Sequence, residues 1–174
     1  MNTQYFELTA PLFLKNLKNL KSILAKGAAH AESVGMSEAD LLASKLAPDM
    51  FPLVKQIQIA TDNAKGATAR LAGVEPLSLP DTETTIAELM SRIEIVEAHL
   101  ATFTAAQFVG ADERQITLPY FPGMFMAGHD YLAEHALANF FFHLNMSYAI
   151  LRMVGTPLGK GDYIGGMNMQ ELAA

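Results

Sequence analysis

The sequence predicts an all-α fold, an antiparallel four-helix bundle with a small β-hairpin before the last helix. Two observations carry the helices. Three stretches each bear a single apolar stripe at helical spacing, and a fourth, Tyr131 to Val154, is apolar almost all round. A third observation carries the hairpin: between Arg114 and Met126 the period switches from helical to alternating. At 174 residues the chain suits one domain, expected to span residues 1–174.

The first helix is read from Phe13, Leu17, Leu20, Leu24 and Ala28, with Lys15, Lys18, Lys21 and Lys26 left for the wet side. Pro11 is tolerated in its first turn. Gly27 and Gly35 mark its fade into a connection, where Ser37 caps a short helix to Ser44. The second helix runs from about Met50 to Leu71, with Asp49 as cap and Pro52 in the permissive first turn. Leu53, Ile57, Ala60, Ala64, Ala67 and Leu71 form its stripe; Lys55, Gln58, Asp62 and Lys65 form the opposite face. The third helix, about Thr85 to Phe103, opens on a capping box, Thr85 with Glu88. Its stripe is Ile86, Leu89, Ile93, Val96, Leu100 and Phe103, and Arg92 points elsewhere.

In the hairpin Ile116, Leu118 and Tyr120 alternate with Thr117 and Pro119, and Pro122-Gly123 turns the chain toward Met124, Phe125 and Met126. Two prolines confine it to an edge. The last helix enters past His129 and Asp130, the latter a cap, and stops at Gly155 before Pro157. A Gly-rich tail, Leu158 to Gly166, lies across the surface. The segment from Gly155 to Gly161 does not match a phosphate loop: an intervening residue is missing and no Ser or Thr follows Lys160.

Composition narrows the function. Hydrophobic residues at 51% against 17% charged exclude a disordered chain. A net charge of −6 with no basic run disfavours nucleic acid or an anionic membrane as partner. The absence of cysteine removes disulfides, thiol nucleophiles and thiolate metal sites. No signal peptide and no bilayer-length apolar run is evident, so a soluble cytoplasmic protein is expected.

The residues that invite chemistry are His135, Asn139 and His143, four apart along the last helix. Helical geometry puts neighbours in this series on one face, about 6 Å apart along the axis, and His135 about 12 Å from His143. A metal–nitrogen bond of about 2 Å cannot bridge the two histidines. On the second helix Gln56 and Asn63 border the apolar stripe. Gln56, Asn139 and His143 are expected to converge in a cavity between the second and last helices, with His135 along its wall. They either pair with one another or hold a small ligand, because an unpaired buried polar group costs about 1–3 kcal/mol.

The segments PLFLKNLKNLKSIL, LAPDMFPLVKQIQIATDNAKGATARLAG, ANFFFHLNMSYAILR and GTPLGKGDYIGG together resemble a bacterial family of unassigned activity, domain of unknown function 1993. That family is similar to the DinB/YfiT-like four-helix bundles. The resemblance implies a dimer and, in many members, a divalent metal held by one histidine of the second helix and two of the last. Carried over, those positions fall near Gln56 or Gln58 and on Asn139 and His143, so only one of three is histidine. The expectation is a bundle protein that binds a small molecule in an interhelical pocket through Gln56, His135, Asn139 and His143. No cofactor, no metal and no assigned catalytic residue are expected, and the assembly is expected to be a homodimer. Two alternatives stand beside it: a metal-dependent thiol-transferase or hydrolase, and a structural homodimer without ligand. Excess apolar surface on the last helix asks for cover by a partner, the hairpin or the tail.

Overall fold

The computed structural model describes residues 3–172, so the outermost ends of the expected 1–174 domain lie outside the described residues. The chain is mostly helical, with a two-stranded antiparallel sheet. In order come α1 (Gln4–Glu7), α2 (Ala10–Ser33), α3 (Glu38–Ala43), α4 (Leu53–Ala72) and α5 (Ile86–Leu100). A short 3-10 turn (Ala105–Phe108) leads to β1 (Gln115–Ile116) and β2 (Met126–Ala127). The final run is α6 (Gly128–Asp130), a π-helical stretch (Tyr131–Ala136), α7 (Leu137–Met153) and α8 (Lys160–Ile164). Four long helices pack around one core: α4 lies against both α5 and α7, and α2 closes the ring against the same two.

Local sequence explains the ends of these helices. Ser37 Oγ accepts from the Asp40 amide, and Thr85 and Glu88 form the expected capping box. Pro11 sits in the first turn of α2. Gly73, at φ +72°, closes α4 in the left-handed conformation. Two starts differ from expectation. Helix α4 begins at Leu53 with Pro52 as its cap position, because Pro52 is extended (ψ 167°) and Asp49 lies upstream in the connection. Asp130 is no cap; it lies within α6 and pairs with His129 at 3.1 Å.

Gly27 also departs from its expected role. It lies inside α2, where a Cβ would stand 2.5 Å from a Leu151 methyl, so the missing side chain lets α7 approach. The tail lies across the surface of α2, as expected. Asn19 Nδ2 donates to the Tyr163 and Ile164 carbonyls, and Lys26 pairs with Asp162, fixing α8 on α2.

The hairpin is shorter than its alternation implied. Only Gln115↔Ala127 and Ile116↔Met126 pair, and residues 117–125 leave the ladder. Pro119 and Pro122 have no N–H to donate, which stops the pairing. Gly123, at φ +78°, supplies the turn.

Candidate functional site

Gln56 and His143 meet as expected. Gln56 is 1% exposed on α4 and His143 7% exposed on α7. Gln56 Nε2 donates to the Phe51 carbonyl at 3.0 Å, so its amide oxygen must face the other way. That oxygen accepts from His143 Nδ1 at 2.7 Å. The chain of constraint fixes the tautomer: Nδ1 carries the proton and Nε2 keeps its lone pair. Burial depresses the His143 pKa, which favours this neutral ring. Gln58 faces the other side of α4 and donates to Glu83 Oε2 at 2.8 Å, so Gln56 is the glutamine that meets the last helix.

Asn139 lies one turn from His143, half-buried, and its amide has no hydrogen-bond partner among the described residues. His135, expected about two turns from His143, makes its contacts elsewhere. It falls in the π-helical stretch, whose wider turn breaks the four-residue spacing assumed for a regular helix. His135 Nε2 and the Tyr120 hydroxyl share a 3.1 Å hydrogen bond, and the ring stacks on Tyr131 with centroids 5.3 Å apart. Asn63 is buried on α4, and its Oδ1 has no partner among the described residues.

The metal implied by the resemblance can be tested on these donors. Gln56, Asn139 and His143 offer one imidazole and two neutral amides, and one amide is already engaged. A structural or catalytic zinc needs at least three good protein ligands. Among the described residues no three His, Cys, Asp or Glu side chains gather to hold a metal ion. The donor set does not fit.

Two clusters escaped the sequence. The first lies where Lys55, Gln58, Asp62 and Lys65 were expected to form the wet face of α4. Gln58 and Lys65 are instead buried, because α5 and residues 80–83 cover them. Arg92, 2% exposed, anchors that cover. Its Nε donates to Thr61 Oγ1 at 2.7 Å, Nη1 to the Pro80 carbonyl at 3.0 Å and Glu83 at 2.9 Å, and Nη2 contacts Asp62 at 2.6 Å and Asp81 at 2.9 Å. Lys65 also pairs with Asp62, and Lys55 with Asp81. The sequence signal was the acidic pair Asp81 and Glu83 in a connection otherwise rich in proline.

The second cluster surrounds Arg70 near the C-terminal end of α4. Tyr131 is wholly buried, and its hydroxyl lies beside the Arg70 guanidinium without closing a full hydrogen bond. Burial pushes the Tyr131 pKa up, against the pull of Arg70, and burial plus Arg70 push the His135 pKa down. Beside Arg70 a cavity of about 680 Å³ opens toward the hairpin.

The profile of the family described as "Domain of unknown function (DUF1993)" matches residues 5–164. A search of curated proteins gives no match. Among solved structures, the chain is similar to a DinB family member protein from Shewanella denitrificans, with 41% identity and a TM-score of 0.92. The match covers 96% of this chain and 95% of that one. With the fold, the match over most of its length and this relative in agreement, the chain belongs to the DUF1993 family and is DinB-like in structure.

Proposed function

We propose that this DinB-like protein binds a small polar molecule between α4 and α7 without a resident transition metal. The observation that carries the reading is the Gln56–His143 hydrogen bond. It stands where the resemblance would put metal ligands. It also presets a neutral imidazole with a free Nε2 acceptor, one turn from the unpartnered Asn139 amide. A fixed acceptor beside an open amide suits a ligand that both donates and accepts.

In this reading the four long helices form one antiparallel bundle domain, and two copies associate in the cytoplasm through the outer face of α7. Phe142 and Met153 remain exposed on that face, which supports burial against a second copy. Among the described residues no helix is long and apolar enough to cross a membrane.

The test uses tag-free protein. Elemental analysis should find no stoichiometric zinc, nickel or iron, and native mass spectrometry should show a dimer that retains or accepts a small molecule. His143→Leu should abolish that adduct. Stoichiometric metal would overturn the reading and restore the metal-dependent transferase or hydrolase. A dimer with no adduct under any condition would leave the structural homodimer.

A further inference from the structure

A second site lies at the other end of α4, about 21 Å along the helix axis from Gln56. Arg70 and Arg114 stand on the wall of the 680 Å³ cavity, with Phe121, Met124 and Phe125 of the hairpin loop facing the same space. The hairpin residues also line an adjoining recess of about 250 Å³, whose lining from Ile116 to Met126 is wholly apolar. A charged compartment thus shares its wall with an apolar one.

Among the described residues the two guanidiniums have no counterion. Neither Arg70 nor Arg114 makes an ion pair among the described residues, whereas Arg92 on α5 contacts three carboxylates. Arg114 is nevertheless held in place: it donates to the Leu71 and Val109 carbonyls, which are neutral acceptors that leave its charge uncompensated. Arg70 folds over Gly66, where a Cβ would stand 2.6 Å from Nη1. Among the described residues Glu75 is the single acid on the cavity wall and is exposed, so the wall keeps a net positive charge. A half-buried, positioned and unpaired guanidinium calls for an anion, because its attraction is screened less than in open water.

We infer that this cavity binds an organic monoanion with an apolar body, its charged group on Arg70 and Arg114 and its body against Phe121, Met124 and Phe125. A doubly charged or fully polar anion would waste the apolar recess, and a neutral hydrophobe would leave the arginines unpaired. The ligand needs no metal and does not touch the Gln56–His143 pair.

The experiment titrates the full-length protein with 1-naphthoate and with its neutral counterpart 1-naphthylmethanol by calorimetry. Naphthoate should bind at least tenfold tighter than the alcohol. Arg70→Gln, with its fold checked by circular dichroism, should weaken naphthoate at least tenfold and leave the alcohol unchanged. Met124→Glu, at an exposed position safe for folding, should weaken naphthoate by a similar factor. His143→Leu should leave naphthoate binding within twofold of the parent. No naphthoate binding, equal binding of acid and alcohol, or unaltered binding in both Arg70→Gln and Met124→Glu would overturn the assignment. Loss of binding only in His143→Leu would also overturn it, moving the ligand to the α4–α7 site.

Discussion

Arg92 and Arg70 lie in two regions that treat an enclosed positive charge in opposite ways. Around Arg92 the guanidinium donates hydrogen bonds to Thr61, Pro80, Glu83 and Asp62, and Nη2 also lies 2.9 Å from an Asp81 oxygen. Around Arg70 the neighbours are a hydroxyl it does not fully engage, a histidine with one unpaired nitrogen and an open cavity. A saturated charge fixes structure, because nothing is left over to recognise a ligand. An unsaturated one beside a cavity retains that capacity. Burial already sets Arg92 apart from the half-buried Arg70, and counting the bonds widens the difference.

The largest expected effect comes from breaking the saturated side. Arg92→Met would leave Asp62, Asp81 and Glu83 facing one another and should destabilise the protein by about 3 kcal/mol, near the lower end for a broken buried pair because the carboxylates reach solvent. Chemical denaturation measures it. Arg70→Gln in the same assay should change stability by no more than about 0.5 kcal/mol. Equal losses for the two arginines would erase the distinction.

Next in size is His143→Leu, which leaves the buried Gln56 oxygen without a donor and should cost about 2 kcal/mol. Adding Gln56→Leu should recover part of that loss, since both polar partners are then gone. A double-mutant cycle showing strict additivity would mean the two residues do not interact.

A smaller effect is readable in pH. Burial lowers the folded-state pKa of His143, so below about pH 6.5 the unfolded chain binds protons more readily. Stability is therefore intact above that value and falls as pH drops through the window down to the folded pKa. His143→Leu should flatten part of this slope, with His99 and His135 supplying the remainder by the same sign. On the acid side, burial alone would raise the Glu83 carboxyl, but hydrogen bonds from Arg92 and Gln58 outweigh it and hold the pKa below the usual range. Its contribution is present above about pH 4.3 and is lost as pH falls through the folded value. Arg92→Met should shrink that acid dependence, leaving the part held by Gln58. Thermal melts from pH 7 to pH 3 check both.

The smallest expected effect is Tyr120→Phe. It removes an exposed hydrogen bond to His135 and should cost about 0.5 kcal/mol. Histidine NMR shifts at position 135 would move while those at 143 stay fixed, which would sharpen the separation between the two regions.

The sequence discloses these regions unequally. The caps at Ser37 and Thr85 are legible because donor and acceptor lie three residues apart. The Gln56–His143 contact was legible because each residue borders an apolar stripe on a helix expected to pack against the other. Arg92 was not legible, since its partners come from α4 and from residues 80–83, and no local periodicity says that this connection folds over α4. The surroundings of His135 were not legible for a different reason. Nothing in YLAEHA distinguishes a π turn from an α turn before the surrounding packing is known.

That π-helical stretch acts as a phase shifter. An α-helix advances about 100° per residue, so a π turn, closing on i→i+5 in place of i→i+4, absorbs one surplus residue and shifts the sequence pattern across it by that angle. The hairpin and α6 are thereby indexed to α7 through Tyr131–Ala136. Deleting one residue there, Ala133 for instance, would rewind the segment as plain α-helix without touching the face His143 presents to Gln56. The residues on either side would keep their faces, because only the surplus residue is lost. A single residue thus sets the sequence phase between Tyr131 and His143, and its removal costs the wider turn while sparing the faces on either side.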